Sequence, residues 1–180
     1  MTTLTLEATH PQQPLVTIRP GTPDDEGSLW RIFRSVIATG ETYAMPPETT
    51  RSEAIAYWTE GGGPWFVAEL EGRVVGACMV HPNQPGLGAH VANAAYIVDA
   101  DARGHHIGRH LVLHSLATAR RLGYRSMQFN LVVATNAPAI HLYESLGFRV
   151  IAREPEAFWW RRQRYVDALV FHRSLVGPDA

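Results

Sequence analysis

The stretch AAYIVDADARGHHIG (residues 94–108) decides the fold, because an apolar run passes through a short glycine-containing turn directly into an amphipathic segment. After the turn, seven residues fall within one broad arc when each step turns by about 100°, the rotation per residue of an α-helix. The pattern predicts a strand, a tight turn and a helix that packs on a sheet and ends at Gly123. The arc consists of Ile107, Leu111, Val112, Ser115, Leu116, Ala119 and Leu122.

The flanking segments extend this unit into a larger sheet. SMQFNLVV (126–133) has the length and apolar character of a buried strand, and NAPAIHLYESLGF (136–148) predicts a short helix that ends at Gly147. The order is strand, two helices, three strands, helix, strand, helix and two strands, which predicts a mixed α/β protein with a right-handed parallel crossover. The other predicted elements are strands at 16–20, 90–98, 149–154 and 165–175, helices at 22–38 and 52–59, and two strands within 64–82 joined at Glu71-Gly72.

Composition narrows the class of protein. At 180 residues and 46% hydrophobic composition, the chain suits one globular domain with a sizeable core. Its single cysteine, Cys78, excludes an internal disulfide and a multi-cysteine zinc site, and its surroundings GACMV predict a core strand. All 16 basic residues are arginine, which excludes catalysis by a lysine Schiff base or lysine base.

Charge and hydropathy bear on partners and location. The net charge of −1 argues against general nucleic-acid binding, although the last 90 residues hold 11 arginines against 7 acids and so favour an anion. No apolar run approaches the roughly 20 residues of a membrane helix, and residues 1–14 lack the pattern of a signal peptide. We therefore expect a cytoplasmic protein without nucleic-acid or membrane partners.

The turn RGHHIG (103–108) is a candidate anion site. A strand that leads into a helix N-terminus directs several backbone N–H groups at one point, which suits a pyrophosphate. Arg103 and Arg109 can add charge-assisted hydrogen bonds. On local spacing alone, an ordinary turn with solvated arginines is an equal alternative.

Asn136 and Tyr143 form the second candidate site. They are seven residues apart, so both project from one face of a helix. A tyrosine hydroxyl there can protonate a leaving group, and an asparagine amide can hold an amide-bearing cofactor arm. The alternative is a helix cap at Asn136 and a half-buried helix residue at Tyr143.

Together, the pattern V-D-A-D-A-R-G-x-x-I-G, a helix, a buried strand and N-x-x-A-I-x-L-Y-x-x-x-G-F resembles the GNAT superfamily of acetyl-CoA-dependent N-acetyltransferases. The resemblance implies a mixed, mostly antiparallel sheet of six to seven strands flanked by about four helices, in which parallel strands four and five splay apart. It implies one domain over residues 15–176, with a flexible segment at 1–14 and a tail at 177–180.

The resemblance also implies the cofactor site. The backbone of Ile97 and Val98 would pair with the pantetheine arm of acetyl-CoA, and Asn136 would contact the cofactor. Tyr143 would lie near the thioester sulfur as general acid. The turn that would wrap the pyrophosphate comprises Arg103, Gly104, His105, His106, Gly108 and Arg109. Since His106 stands where the family most often has glycine, and a positive φ is disfavoured for a side chain, we expect an α-compatible turn there.

A closer similarity, to the branch that includes the yeast proline-analogue (L-azetidine-2-carboxylate) N-acetyltransferase, implies an acceptor site. Asn93 and Asn130 match two acceptor-site asparagines of that branch, where amides can orient the acceptor and the acetyl oxygen. Glu41 and Tyr43 lie in the loop that commonly forms the acceptor wall. Candidate bases acting through water are Glu41, His81 and His90, and the amine can also arrive neutral.

Two further features carry alternatives. His106, His110 and His114 have the H-x-x-x-H spacing of a zinc site, but the H-E-x-x-H pattern is absent, so we interpret them as exposed helix histidines and expect no metal. Trp159 and Trp160 either cover the site or a dimer partner, or belong to a connecting loop with one tryptophan in the core.

The sequence thus predicts an acyltransferase that moves an acetyl group directly from acetyl-CoA to a small, amino-acid-like amine. Acetylation of a protein N-terminus or an antibiotic amine is an alternative, as is a non-catalytic acyl-CoA sensor; a zinc hydrolase is a more remote one. The superfamily resemblance also implies a homodimer.

Overall fold

A computed structural model describes residues 16–102 and 104–177, which form one seven-stranded sheet flanked by four helices. The strand order is β1-β2-β3-β4-β5-β7-β6, antiparallel throughout except for the parallel pair β4-β5. The elements are β1 (Val16–Pro20), α1 (Glu26–Ile37), α2 (Arg51–Thr59), β2 (Trp65–Leu70), β3 (Arg73–Pro82), β4 (Val91–Val98), α3 (Ile107–Arg121), β5 (Ser126–Val133), α4 (Ala137–Ser145), β6 (Arg149–Trp160) and β7 (Arg164–Ser174).

The predicted order of elements and the predicted mixed sheet are confirmed. The hairpin between β2 and β3 turns at Glu71-Gly72, where both residues have positive φ, as a tight hairpin turn requires. Cys78 is fully buried in β3, and burial raises the pKa of its thiol to about 12, as expected of a core residue. None of the helices at 26–37, 51–59, 107–121 and 137–145 is long and apolar enough to cross a membrane.

The last two strands differ from the prediction. β6 continues through Trp160, beyond the predicted end at residue 154, and forms a long hairpin with β7. Neither tryptophan lies in the core. Trp159 is exposed and stacks on Tyr165, while Trp160 is half-buried with the Arg161 guanidinium 4.5 Å from its ring centroid. β6 is exposed along nearly its whole length and only Phe158 is buried, so residues 155–160 lack the apolar alternation that indicates a half-buried strand.

Helices cover both faces of the sheet. α1 and α2 pack on one face around Phe33 and Trp58, together with Ala77 and Met79 of β3 and Ile97 of β4. α3 packs on the opposite face chiefly against β3 and β4, and residues from β5, β7 and α4 join the same apolar cluster. The two clusters meet at β4, so any opening beside β4 is reached from both layers.

That opening exists because β4 and β5 part. Val91 pairs with Ser126 and Ala92 with Met127, and the two strands diverge beyond this point. On its other edge β5 contains a bulge between Phe129 and Val132, so two residues of β5 oppose one residue of β7. The bulge increases the local bend of β5 at the divergence. The predicted splay of strands four and five is confirmed.

Candidate active site

The diverging strands enclose a cavity of about 550 Å³. Its lining comes from both layers of the protein, because β4 and β5 contribute side chains from either face. On the α3 and α4 face lie Tyr96, Phe129 and Tyr143, which we call the aromatic side. On the α1 and α2 face lie His81, Asn93 and Asn130, which we call the amide side. The cavity volume is that of an ordinary small-molecule site.

The alternation of side chains along β3, β4 and β5 places the three residues of the amide side on one face of the sheet. His81 and Asn93 are opposed in the β3-β4 register, two residues along from Met79 and Ala95, which pack against α1 and α2. Side chains two residues apart share a face, so His81 and Asn93 share this one. Asn130 follows Phe129, which packs on the opposite face, and therefore projects toward the same side as Asn93.

Hydrogen bonds orient the amides of this side. The Ala94 N–H donates to Asn93 Oδ1 at 2.7 Å, which leaves the Asn93 NH₂ group as a donor for a ligand. Asn130 Nδ2 donates to Asn83 Oδ1 at 2.7 Å, and Gln128 Nε2 donates to Asn130 Oδ1 at 3.0 Å. Asn130 is thus held in a chain of three amides. Sequence reasoning missed both partners: Asn83 lies beside Asn130 only through the pairing of the strands, whereas Gln128 shares the face of Asn130 by the alternation of one strand.

Aromatic rings surround Tyr143 on the other side. Its ring centroid lies 4.6 Å from that of Phe129, 5.7 Å from that of Phe171 and 5.9 Å from that of Phe148. Burial among these rings raises the pKa of Tyr143 well above its ordinary value. The hydroxyl therefore stays protonated at neutral pH and can donate a proton or a hydrogen bond to a leaving group.

The edge of β4 that faces the cavity can be identified from its hydrogen bonds. Asn83 N–H donates to Val91 O and Asp99 N–H donates to Val75 O, so the odd-numbered residues of β4 bond to β3. The even-numbered residues therefore direct their N–H and C=O groups toward the cavity. Of the two residues predicted to pair with a pantetheine arm, Val98 presents its backbone there, whereas the backbone of Ile97 faces β3.

Two polar contacts fix this edge further. Tyr43 donates to Tyr96 O at 2.9 Å and thereby ties the loop between α1 and α2 to β4. Beyond the end of β4, the buried Asp99 accepts hydrogen bonds from Arg31 at 2.6 Å and from the Asp101 N–H at 3.2 Å. Burial opposes ionisation of Asp99, but these hydrogen bonds outweigh it and lower the pKa of the carboxyl. Sequence reasoning assigned no role to Asp99.

The turn before α3 corrects one expectation. His106 has φ 54° and ψ 24°, a left-handed conformation, where an α-compatible turn was expected. The backbone geometry required to begin α3 has prevailed over the preference of a side chain for negative φ, at a cost of about 1–2 kcal/mol. Gly104 also has positive φ, at 87°. His105 is half-buried beside it, and Arg103 lies outside the described residues.

The remaining residues of the predicted cofactor site lie near the start of α3 and α4. Gly108 lines the cavity, and a Cβ at this position would lie 3.5 Å from Leu142 Cδ2. Arg109 is exposed and donates to Ser145 Oγ at 3.4 Å. Asn136 lines the cavity and also caps α4, accepting from the Ala139 N–H at 3.3 Å. The two interpretations of Asn136, cap and ligand contact, are therefore compatible.

Glu41 lies outside this cavity. Its carboxylate accepts a hydrogen bond from Arg161 Nε at 2.7 Å, and Glu48 accepts one from Arg162 Nη1 at 2.6 Å. The Arg161 N–H also donates to Gly40 O at 2.8 Å. We call these contacts the clasp, because they join the α1-α2 loop to the tip of the β6-β7 hairpin. Sequence reasoning placed Glu41 on the acceptor wall without this partner.

Arg161 and Arg162 of the clasp line a second cavity of about 540 Å³, next to the first. Tyr43 lines both cavities, so the predicted acceptor-wall tyrosine separates them. Arg161 and Arg162 lie in the tight turn between β6 and β7, and both have positive φ, at 51° and 57°. Apolar residues make up most of the wall, among them Met45, Pro46, Pro47 and Phe158.

The α3 histidines do not all lie in solvent. His106 and His110 are exposed, but the His114 ring is half-buried with its centroid 4.4 Å from that of Phe66, and burial lowers its pKa. The prediction that all three are exposed is therefore wrong for His114. Within residues 16–102 and 104–177, no group of three potential ligand residues is arranged to hold a metal ion.

Comparison with known proteins identifies the family to which this chain belongs. Residues 29–148 match the Acetyltransferase (GNAT) family. The fold and the split-strand site are those of an acyltransferase. The chain belongs to the GNAT acetyltransferase family.

Individual relatives agree with the family assignment. The N-acetyltransferase aca1 of Schizosaccharomyces pombe is 30% identical over 152 residues, which span 75% of this chain and 73% of that protein. A GCN5-related N-acetyltransferase structure from Kribbella flavida is 41% identical with a TM-score of 0.84, covering 88% of this chain and 97% of that one. The yncA structure from Salmonella typhimurium, solved with acetyl-CoA, has a TM-score of 0.81 at 23% identity, covers 92% and 97% of the two chains, and shows the shared fold.

Proposed function

We propose that this protein transfers an acetyl group directly from acetyl-CoA to the amine of a small, amino-acid-like acceptor. One observation carries the proposal: the cavity between the diverging strands has a protonated phenol on its aromatic side and oriented amides on its amide side. A thioester placed between the strands would have a proton donor near its sulfur and an acceptor site on the opposite side. No covalent enzyme intermediate is needed.

The donor would use the aromatic side. The Tyr96 N–H and the backbone groups of Val98 face the cavity and offer hydrogen bonds to an extended amide chain, whereas Tyr96 O already accepts from Tyr43. Asn136 offers a further amide. The N-terminus of α3, preceded by Gly104 and His106, presents backbone N–H groups to a pyrophosphate. Arg109 would add positive charge beside that turn. Tyr143 would donate to the departing sulfur.

The acceptor would use the amide side. Among the described residues that line the cavity, none is aspartate, glutamate, lysine or arginine. Such a lining favours a small acceptor recognised by neutral hydrogen-bonding groups, with Asn93 and Asn130 binding a carboxylate or the acetyl oxygen. Similarity to the proline-analogue N-acetyltransferase branch supports an amino acid or a cyclic imino acid.

The experiment is acetyl-CoA-dependent thiol release with a panel of free amino acids, proline analogues, polyamines, antibiotics and peptides, alongside controls without acceptor. Turnover with a small amino acid or imino acid supports the proposal. Turnover confined to peptides or antibiotic amines contradicts the acceptor class but keeps the chemistry. Acetyl-CoA binding by calorimetry without turnover on any amine supports a sensor instead.

A cytoplasmic location, a homodimer, and the absence of nucleic-acid and membrane partners stay predictions from the sequence. So does the single domain over residues 15–176 with a flexible segment at 1–14. Size-exclusion chromatography with light scattering tests the dimer directly.

A further inference from the structure

We propose that His81 is the proton acceptor that converts the ammonium form of the acceptor into the attacking amine. This rests on the proposed function and adds a catalytic role on β3, a strand outside both motifs of the predicted site. An amine with a pKa near 10 is almost wholly protonated at neutral pH and must lose a proton before it can attack. The cavity must therefore supply an acceptor for that proton or wait for the rare neutral amine.

Within the described part of the chain, the titratable side chains that line the cavity are His81 and four tyrosines. The tyrosines are Tyr43, Tyr57, Tyr96 and Tyr143. Burial raises the pKa of each tyrosine, so each is a proton donor rather than an acceptor at neutral pH. In this set, only the imidazole has a ring nitrogen whose lone pair can accept a proton.

The contacts of His81 determine which of its ring nitrogens can accept a proton. Nδ1 lies 2.9 Å from Pro82 O, and a carbonyl oxygen can only accept, so Nδ1 carries the hydrogen. In the neutral ring this leaves the lone pair on Nε2. His81 is half-buried and opposes Asn93 in the β3-β4 register, which places the imidazole and a predicted acceptor-binding amide side by side.

A close loop contact holds this position. A Cβ at Gly63 would lie 1.9 Å from Val80 O and 3.0 Å from the His81 Cα, so only glycine allows the loop to lie against this part of β3. The glycine run at 61–63, which the predicted function left without a role, thus packs directly on the backbone that carries the imidazole.

Few charged groups compete for the proton. The elements that line the cavity with His81 present Tyr57 from α2, Tyr43 from the α1-α2 loop, and the neutral amides of Asn93 and Asn130 from β4 and β5. The two tyrosines are the titratable members of this set. The described lining contains no carboxylate.

The reaction balances as follows. The ammonium group gives one proton to His81 Nε2, directly or through one water, and the neutral amine attacks the acetyl carbonyl. The new C–N bond forms, the C–S bond breaks, and the sulfur leaves as a thiol after protonation by Tyr143. The second proton of the amine nitrogen restores Tyr143 through solvent, and His81 releases the first to bulk water. One proton is released per acetyl group transferred.

The test compares His81→Gln with His90→Gln across pH 6 to 10, with an aliphatic amine that the acceptor panel shows to be active. His90 is a matched control, because its Nδ1 also lies near a carbonyl, Leu87 O at 3.1 Å, but it is exposed and does not line the cavity. For His81→Gln we expect kcat/KM to fall by about 100-fold or more at pH 7, the usual range for a lost acid-base group. The deficit should shrink toward pH 10, where the amine is itself largely neutral.

Several outcomes overturn the role. Equal activity of His81→Gln and the wild type at pH 7 excludes His81 as the proton acceptor, and so does a loss that is the same at every pH. Acetyl-CoA affinity by calorimetry and the melting temperature report whether the variant is folded. If it is not, His81→Ala with added imidazole replaces it: restored turnover supports the role, and no restoration in a folded protein contradicts it. If the wild type is inactive on every amine, both the proposed function and the proposed role of His81 are wrong. If the wild type is active, the His81 variants test the role of His81 by itself.

Discussion

The aromatic side and the amide side of the cavity are built in different ways. The aromatic side takes its rings from β4, β5 and α4 and packs them into the core of the protein, where Phe171 of β7 also contacts Tyr143. The amide side also draws on three elements, β3, β4 and β5, but depends on hydrogen bonds between side chains. A buried ring cluster is rigid because many contacts fix each ring, whereas a chain of amides can be altered one residue at a time.

This difference suggests a functional division between the two sides of the cavity. The side that would bind the common donor is specified by core packing and is costly to change. The side that would bind the acceptor is polar and partly exposed, so substitutions there can change specificity without unfolding the protein. Four experiments test this division, beginning with the largest expected effect.

Removing the hydroxyl of Tyr143 should affect the chemical step. For Tyr143→Phe we expect kcat to fall by about 10- to 1000-fold, because the departing sulfur loses its proton donor. The ring remains, so the packing and the affinity for acetyl-CoA should stay near wild type. Steady-state kinetics and calorimetry measure both. The exposed Tyr165→Phe serves as a control, and an unchanged kcat at every pH would remove Tyr143 from the mechanism.

Truncating an amide should affect the acceptor alone. For Asn130→Ala and Asn93→Ala we expect KM for the acceptor to rise by about 2- to 10-fold, the equivalent of one hydrogen bond. The dissociation constant of acetyl-CoA should not change. Asn83→Ala, which removes only the support of Asn130, should give a smaller increase. If either cavity variant weakens acetyl-CoA as much as the acceptor, the division between the two sides is wrong.

Opening the clasp should have a modest effect on the acceptor. Its ion pairs are largely solvent-exposed, and such pairs contribute little. For Glu41→Gln combined with Glu48→Gln we expect KM for the acceptor to rise about two- to fourfold at low salt. The wild type should approach the variant at high salt, where exposed charges are screened. Glu60→Gln, an exposed glutamate outside the clasp, is the control. A change in the affinity for acetyl-CoA without a change in KM for the acceptor would contradict the assignment of the clasp to the acceptor side.

The strain at His106 lies in the turn before α3 and should appear as reduced stability. Glycine adopts positive φ without steric penalty, whereas alanine does not. His106→Gly should therefore be more stable than His106→Ala by about 1 kcal/mol, a difference of about 2–4 °C in melting temperature for a domain of this size. Comparing the two variants with each other cancels the loss of the imidazole. Equal melting temperatures would mean that the turn relaxes in solution.

The fold was largely predictable because its signals are local. The period of α3, the glycines at the ends of α3 and α4, and the turn at Glu71-Gly72 each act within a few residues. The Asn136 and Tyr143 pair could be recognised for the same reason, since helical spacing alone places both on one face. These features do not depend on which strands are neighbours.

Most of the features that were not predicted depend on long-range pairing. Asn83 reaches Asn130 only because β3, β4 and β5 are neighbours, whereas Gln128 lies two residues from Asn130 on β5 and could have been found from strand alternation. That the backbone of Ile97 faces β3 follows from which residues of β4 bond to β3. At His106 the general preference of a residue with a side chain for negative φ is overridden by the geometry of the strand-to-helix turn.

The clasp has a consequence for the order of folding. Glu41 and Arg161 are separated by 120 residues in sequence, so this contact closes a very long loop. The contacts within the β4-α3-β5-α4 segment, in contrast, close shorter loops. Since short loops close at lower entropic cost, we expect these contacts to form early. The packing of Phe171 on Tyr143 and the second cavity would be completed only when the C-terminal hairpin docks. A chain emerging from the ribosome would thus complete its donor side and its acceptor wall in the same late step.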